Sequence, residues 1–339
     1  MGDMMENKEI QDRIGEYLIP HVEEFVFDEL SDSYLEKAGI ADVLTGVPVP
    51  IRTTSMANLS TLVIAQNMAF IIGCDVNFKY RDNYIAYIIR TFTKEFAKPL
   101  INEGVEAAAK NDFDYACICF RGALLIDPDS ADALYCYGRA CKDSYEVGEG
   151  EEYVGRYKAE SLEAFEKLTI KNPDFDMGYY FLGYGYLNLG LYVKAKLTWE
   201  TFMKLSDHKE QKEEVQGWLD KLAEPVKIEE GYNHVLSGRY EDGLNILQGY
   251  ENDERFNTWW PLWYYLGAAY KALEDPAEAE RCFKQVLKLS PSNVEAMEEL
   301  LAIYETQGDQ EKVEKFSRKI EIVKYNAEMD KAERMNGLS

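Results

Sequence analysis

Apolar positions recur along this chain with the period of an α-helix, and the pattern is clearest towards its C-terminal end. Trp263, Leu266 and Tyr270 are spaced i, i+3 and i+7, so a helix carries all three on one face. After a short polar interruption, Ala279 and Phe283 belong to a second pattern of the same kind. The sequence therefore predicts two amphipathic helices in succession, each with one apolar face to bury.

The residues between and within these helices indicate how the two pack together. Asp275 followed by Pro276 is typical of a helix start, because aspartate caps free N–H groups and proline tolerates the first helical position. Gly267 lies inside the first helix, where glycine costs about 1 kcal/mol relative to alanine. We therefore expect the second helix to approach the first closely at Gly267.

The same stretch fits a known repeat motif. The match covers W-x2-L-G-x2-Y from Trp263, A-x3-F from Ala279 and the closing Pro291. Residues 260–293 therefore resemble the tetratricopeptide repeat. The resemblance implies an all-α fold, in which helix pairs stack into an α-solenoid with a right-handed superhelical twist. It also implies a scaffold function, because stacked pairs form extended binding surfaces.

Glycines extend this register towards the N-terminus. Gly104 and Gly138 are 34 residues apart, the length of one repeat. The second copy has an 11-residue excess within residues 143–158, which form either a solvated loop or an extension of both helices. The predicted organisation is a helical N-terminal domain at 1–96, repeats at 97–130, 131–175, 176–209, 224–258, 260–293 and 294–325, an extra helix at 208–222, and a charged tail at 326–339.

The first 96 residues show no match to the repeat. Residues 6–30 and 80–96 carry apolar stripes with helical spacing, and a short helix is predicted from Ser31. The TGVPVP sequence at 45–50 predicts an extended linker, because residues that precede proline avoid the helical region. We expect a helical domain that also caps the first repeat.

An uncharged stretch from Thr53 to Cys74 is long enough to cross a membrane, so that alternative must be weighed. Polar residues interrupt it, among them Asn58, Gln66 and Asn67, and no strongly basic flank sets a topology. We expect a buried central helix, in a protein without a membrane span.

Composition narrows the range of partners and locations. The net charge of -24 opposes binding to nucleic-acid phosphates and to anionic membrane surfaces. A basic or apolar protein segment is a better-matched partner, although acidity also simply keeps a long solenoid soluble. The first residues lack the pattern of a signal peptide, and no lipidation motif is present. We expect a cytoplasmic protein without a lipid anchor.

Candidate catalytic and metal-binding residues are few. None of the histidines, His21, His208 and His234, belongs to a catalytic or phosphate-binding motif. The cysteines are expected to be reduced, and the two-residue spacing of Cys117 and Cys119 points them to different helix faces, which argues against a metal site. We expect no enzymatic activity, no cofactor and no bound metal.

The family resemblance also implies a binding surface. In tetratricopeptide repeats, the residue one step beyond each core position of the first helix generally faces the concave groove. Carried over to this sequence, the groove residues are Tyr135, Arg139, Tyr180, Tyr184, Ile228, Tyr232 and Tyr264. Tyrosine suits a peptide-binding groove, because it offers a large apolar face with a polar end. The alternative is that these side chains pack between adjacent repeats.

Two functions fit these observations. The first is a non-catalytic adaptor that holds a peptide or helix of another protein in the tyrosine-rich groove. The second is a regulatory receptor, in which a peptide or small ligand binds the groove and repositions the N-terminal helices. Residues 1–96 show neither a basic surface nor a convincing DNA-binding motif, which favours the adaptor.

Overall fold

Helices make up most of the described part of the chain, which covers residues 10–53 and 60–336 in a computed structural model, with side chains to residue 329. The helices are α1 (Gly15–Leu18), α2 (Asp32–Ala38), α3 (Ala41–Leu44), α4 (Thr61–Cys74), α5 (Arg81–Phe92), α6 (Ala97–Ala108), α7 (Phe113–Ile126), α8 (Ala131–Val147), α9 (Glu151–Lys171), α10 (Asp176–Asn188), α11 (Tyr192–Leu205), α12 (Lys209–Leu236), α13 (Tyr240–Leu247), α14 (Trp260–Ala272), α15 (Pro276–Leu289), α16 (Val294–Gln307) and α17 (Gln310–Asn336). Two short strands, β1 (Phe25–Asp28) and β2 (Val49–Arg52), pair antiparallel. The predicted all-α repeat class is confirmed, with this small sheet as an exception.

The chain divides into two compact units. Unit 1 comprises residues 1–190 and 197–215, and unit 2 comprises residues 191–196 and 216–339. The division passes through α11 and α12, so both helices contribute residues to each unit. The domain boundaries predicted from the sequence stay predictions.

In unit 1, one continuous apolar core joins the N-terminal helices to the first helix pairs. It contains buried residues from Ile14 to Ala164. Helix α4 approaches α7 so closely that a Cβ at Gly122 would lie 2.6 Å from the carbonyl oxygen of Ala69. A hydrogen bond joins the small sheet to this core. The hydroxyl of the fully buried Tyr84 donates it to the carbonyl oxygen of Pro48, the residue before β2, over 2.6 Å.

Glycines in unit 1 allow the paired helices to pack closely. A Cβ at Gly104 in α6 would lie 2.6 Å from the ring of Phe120 in α7, and one at Gly138 in α8 would lie 2.8 Å from Phe165 in α9. Gly183 in α10 faces the indole of Trp199 in the same way. Each pair therefore buries one large side chain of its second helix against a glycine of its first.

Unit 2 has the same relationship between its helices. A Cβ at Gly231 in α12 would lie 2.6 Å from Leu247 in α13, and one at Gly267 in α14 would lie 2.9 Å from Phe283 in α15. Helix α15 begins as the sequence predicts, with the Asp275 carboxylate accepting a hydrogen bond from a backbone N–H of the first turn, over 3.2 Å. The terminal pair is α16 with α17, and α17 continues from the last predicted repeat into the predicted charged tail.

The predicted helix over residues 6–30 is wrong for most of its described length. Only α1 is α-helical, and Pro20 lies in the 3-10 helix Ile19–Glu24 that follows it. Strand β1 comes next, where aromatic and β-branched side chains suit a pleated strand. Residues 6–9 lie outside the described residues.

Part of the predicted linker at 45–50 belongs to the same sheet. It is extended as expected, but its last two residues begin β2, in which Pro50 pairs with Phe27 and Ile51 pairs with Val26. Strand pairing between segments so far apart in sequence leaves no local signal, so the proline pattern alone predicted only an open chain.

The uncharged stretch forms α4, which begins after Ser60. The hydroxyl of Ser60 accepts a hydrogen bond from the N–H of Val63 over 3.3 Å, and ten residues of α4 are buried. Residues 54–59 of the stretch lie outside the described residues. Within the described chain, none of the helices combines the length and apolar character that crossing a membrane requires.

Two ambiguous segments are helical. Residues 143–158 extend the end of α8 and the start of α9 rather than forming a long loop. The extra helix predicted at 208–222 is not separate, because α12 continues through Pro225 to Leu236. Buried Leu222 and Val226 lie on both sides of this proline, and their burial offsets the roughly 3 kcal/mol that proline costs inside a helix.

Candidate functional site

The seven residues predicted to line the groove are distributed between the two units. Tyr135 and Arg139 lie on α8 and Tyr180 and Tyr184 on α10, all in unit 1. Tyr232, on α12, and Tyr264, on α14, lie in unit 2. Ile228 is also in unit 2, but it is fully buried in the core and presents no surface to a partner.

Tyr135 belongs to a set of aromatic rings on α8, α9 and α10, which we call the α8–α10 aromatic cluster. It consists of Tyr135, Phe165, Tyr180, Phe181 and Tyr184, with Arg139 beside it. The ring centroids of Phe165 and Phe181 are 5.3 Å apart and stacked, and that of Tyr135 lies 5.9 Å from Phe181. These distances are typical of favourable aromatic pairs, so the rings hold one another in fixed positions.

Arg139 is the exposed member of this group. Its guanidinium carbon lies 5.4 Å from the ring centre of Phe181 and 5.8 Å from that of Tyr135. Such cation–π contacts are worth about 0.5–1 kcal/mol at exposed sites, and they leave guanidinium N–H groups available to a partner. Helices α8 and α10, the first helices of two successive pairs, thus present one surface.

Tyr180 and Tyr184 are half-buried and are held from the other side. The ring of Tyr184 packs edge-on against Trp199 at 4.9 Å, and the ring of Tyr180 lies 5.4 Å from Phe202. The Tyr180 hydroxyl donates a hydrogen bond over 2.8 Å to Glu214, and the Tyr184 hydroxyl donates to the same carboxylate. Packing therefore fixes these tyrosines while leaving part of each exposed.

The local environment keeps both hydroxyls protonated. Burial raises the pKa of Tyr180 and of Tyr184, and the hydrogen bond to the Glu214 carboxylate raises each further. Neither side chain is therefore a candidate base at neutral pH. Their chemistry is that of hydrogen-bond donors with a large apolar ring.

A second group of rings lies in unit 2, on α12 and α14. Tyr232 stacks on Tyr265 with ring centroids 4.4 Å apart, and Tyr264 stands edge-on to Tyr265 at 5.6 Å. The Tyr232 hydroxyl is buried without a hydrogen-bond partner among the described residues. Trp260 is the exposed ring at this end of α14, 6.5 Å from Tyr264.

A pocket of about 320 Å³ opens between α8, α9 and α10 in unit 1. We call it the α8–α10 pocket. Its apolar walls are the side chains of Tyr145, Leu162, Phe165, Phe181 and Tyr184. Two lysines and two glycines also line it, Lys142, Lys158, Gly155 and Gly185. Burial raises the pKa of Tyr145 to about 12, so this wall is neutral at physiological pH.

Sequence reasoning missed this pocket, although a signal for it exists. Gly185 follows the repeat glycine Gly183 by two residues, and nothing in the repeat pattern accounts for it. Gly155 is a second unexplained glycine inside a helix. An unexplained helical glycine usually has a packing or functional reason.

Three of the buried thiols, those of Cys74, Cys141 and Cys282, do not supply a nucleophile. Burial raises the pKa of Cys74 and of Cys282 to about 12, and raises that of Cys141 above its usual range. A thiol is reactive as the thiolate, so these three cysteines are inert at neutral pH.

One repeat is recognised as a member of a known family. Residues 260–293 match the tetratricopeptide repeat family. This part of the chain is a tetratricopeptide repeat. Tetratricopeptide repeats are generally non-catalytic modules that bind other proteins, and stacking them creates extended binding surfaces. Comparison with curated protein sequences gave no match.

Several solved tetratricopeptide-repeat structures are similar to this chain. The repeat domain of P58(IPK) is 12% identical, over 90% of this chain and 87% of that one, with a TM-score of 0.45. A tetratricopeptide-repeat protein from Parabacteroides merdae ATCC 43184 is 15% identical, over 80% and 96%, with a TM-score of 0.34. YrrB, described as having an unusual peptide-binding site, is 17% identical, over 63% and 96%, with a TM-score of 0.31. These values are low, so nothing about this chain's function follows from them.

Proposed function

We propose that this protein is a non-catalytic scaffold of the cytoplasm, which binds a peptide or helical segment of another protein on the α8–α10 aromatic cluster. The observation that carries the proposal is the placement of Tyr135, Arg139, Tyr180 and Tyr184 on neighbouring helices of one unit. Tyrosine and arginine are enriched at protein interfaces and among the residues that dominate binding energy.

The rigidity of the cluster supports this role. Tyr180 and Tyr184 are fixed by ring contacts and by their shared acceptor Glu214, and Arg139 is held over Phe181. Binding of a partner here immobilises few additional side chains. The loss of side-chain entropy on binding is therefore smaller than at a flexible surface.

The packing of unit 1 favours a scaffold over a receptor that moves its N-terminal helices. Residues from α1 to α9 share one apolar core, and the Asp12 carboxylate binds the buried guanidinium of Arg121 over 2.6 Å. Repositioning α1 to α5 would expose that core to water. The regulatory receptor therefore remains the second candidate.

A photo-crosslinking experiment in the native cell tests the proposal. A benzophenone amino acid placed at Asp132, an exposed position of α8 one turn before Tyr135, reports what covers the cluster without removing a proposed contact. The same group at Tyr325, an exposed position of α17, is the matched control. We expect a discrete crosslinked protein from position 132 that is absent from position 325. Crosslinks only at position 325, or none at position 132 when the protein is abundant, would contradict binding at this cluster.

A further inference from the structure

We propose that the α8–α10 pocket receives one apolar side chain of the bound segment, and that Lys142 and Lys158 beside it select a segment with acidic residues next to that side chain. The inference rests on the proposed scaffold function and specifies its partner: an apolar anchor followed by carboxylates. The pocket volume of about 320 Å³ is at the lower end of the roughly 300–1,000 Å³ of ligand sites, and suits one or two side chains rather than a whole helix.

Two glycines keep the pocket open. A Cβ at Gly155 would meet no atom within 4 Å, and a Cβ at Gly185 would meet only Leu162, at 2.7 Å. Neither is a repeat glycine. The repeat glycine of α10 is Gly183, and that of the α8–α9 pair is Gly138, in α8. Each glycine costs its helix about 1 kcal/mol relative to alanine, and the space it leaves is the pocket itself.

The 11-residue excess of the second copy creates one wall. Tyr145, Gly155 and Lys158 all fall within residues 143–158, which lengthen α8 and α9. Gly155, Lys158, Ala159 and Leu162 are spaced i, i+3, i+4 and i+7, so they share the face of α9 that lines the pocket. The pocket therefore comes from what is particular to this chain rather than from the repeat pattern.

The charge around the pocket differs from that of the whole chain. The net charge is -24, yet no aspartate or glutamate lines the pocket, while Lys142 and Lys158 do. Lys158 lies over the Tyr145 ring, with its Nζ 5.5 Å from the ring centre. Lys142 pairs with Glu146 over 2.5 Å and lies 4.0 Å from the Asp143 carboxylate. Both partners are on α8 itself and the pairs are partly exposed. Such pairs are worth about 1 kcal/mol at most, so an incoming carboxylate can compete with Glu146 for Lys142.

The pocket and the α8–α10 aromatic cluster form one continuous surface. Phe165, Phe181 and Tyr184 belong to both. A segment that crosses Tyr184 therefore reaches the pocket with its next side chains. This continuity favours a protein segment over a free small molecule as the occupant.

The test uses labelled peptides of about twelve residues and the full-length protein. The central sequence is Phe-Asp-Asp in the probe peptide, Ala-Asp-Asp in the first control and Phe-Lys-Lys in the second, each in a Gly/Ser background. We expect fluorescence anisotropy to show at least tenfold tighter binding of the probe than of either control. Equal affinities for the three peptides, or binding of decanoate in a calorimetric titration of a protein that does not bind the probe, would overturn the proposal.

Variants of the protein locate the binding. Gly155→Leu fills the pocket and also improves the helix propensity, so it should abolish probe binding while melting no lower than the parent. Gly217→Leu is the matched control, because a Cβ at Gly217 in α12 also meets no atom within 4 Å. Lys158→Glu should weaken the probe at least fivefold, and Lys110→Glu, at an exposed lysine away from the pocket, should not. Probe binding that survives Gly155→Leu would refute the pocket as its site.

The outcomes separate this inference from the proposed function. A cellular partner that crosslinks at position 132 and binds Gly155→Leu as tightly as the parent would overturn the pocket proposal alone. Probe binding that depends on Gly155, without any partner at position 132, would leave the pocket in place and remove the scaffold proposal.

Discussion

Gly267 and Phe283 lie in contact between α14 and α15, where a Cβ at residue 267 would come within 2.9 Å of the Phe283 ring. The ring is fully buried and the glycine is buried with it. Because residue 267 has no side chain, α14 and α15 can approach each other closely at this point.

We predict that Gly267→Leu destabilises the protein by about 1–3 kcal/mol or more, because the leucine must displace Phe283 from a packed core. Gly217→Leu makes the same substitution in a helix facing open space and should be neutral or slightly stabilising. Urea denaturation of both variants checks the prediction. Similar midpoints for the two would show that the helices separate at no cost.

The sequence was sufficient to predict this relationship, because a motif of local spacings encodes it. It was not sufficient for β1 and β2, whose pairing joins Val26 to Ile51 although helices α2 and α3 lie between them in sequence. It also failed at residue 222, where the extra helix was predicted to end, because α12 continues through Pro225 with buried side chains on both sides of it.

The candidate site was predictable only in part for a similar reason. A family rule placed Tyr135, Tyr180 and Tyr184 on neighbouring helices, but the same rule chose Ile228, which is fully buried. The α8–α10 pocket depends on where the lengthened α9 lies relative to α10, and no spacing within either helix specifies that distance.

A second prediction concerns the buried ion pair of Arg121 and Asp12. The Arg121 side chain is 5% exposed and that of Asp12 is 15% exposed, with 2.6 Å between Nη2 and Oδ2. Removing one partner of a buried pair commonly costs about 3–5 kcal/mol, because the remaining charge stays buried. Asp12→Asn should therefore destabilise the protein strongly in thermal or urea unfolding.

The double variant Asp12→Asn/Arg121→Met is the control for this prediction. It removes both charges, so it should recover much of the stability that Asp12→Asn loses. If the double variant loses more free energy of unfolding than the two single variants lose together, Arg121 stabilises unit 1 through other contacts.

A third prediction is a pH dependence at Glu163. Burial alone would raise the pKa of this carboxyl group, but hydrogen bonds from Lys167 and Arg13 outweigh burial and lower its pKa below the ordinary value of 4.5. A carboxyl group with a lowered pKa contributes stability above its unfolded pKa and loses it as the pH falls through its folded pKa. The contribution is therefore complete at neutral pH and disappears on acidification below about pH 4.5.

Glu163→Gln should lower the free energy of unfolding at pH 7, measured by urea denaturation, by less than about 1 kcal/mol because the ion pairs of Glu163 are partly exposed. Its curve of stability against pH should converge with that of the parent near pH 3. Glu149→Gln removes the same charge from an exposed position and serves as the control. Curves that stay parallel on acidification would contradict the role given to Glu163.

The last prediction separates binding from packing among the aromatic residues. Truncation of Tyr184 would not separate the two, because its ring packs against Trp199 and its loss would change both the stability and the partner affinity. Arg139 is exposed, so Arg139→Ala should keep the melting temperature within a few degrees of the parent. If Arg139 is a principal contact, the variant should lose at least tenfold in partner affinity, since such residues often contribute about 2 kcal/mol or more.

Tyr270→Ala is the control. It removes a half-buried ring of unit 2, whose hydroxyl accepts a hydrogen bond from Gln248 over 2.8 Å. This variant should melt several degrees lower than the parent while binding the partner normally below that temperature. Melting curves and partner titrations of the two variants, measured on the same preparations, test this contrast. Normal affinity of Arg139→Ala would move the binding surface away from the α8–α10 aromatic cluster.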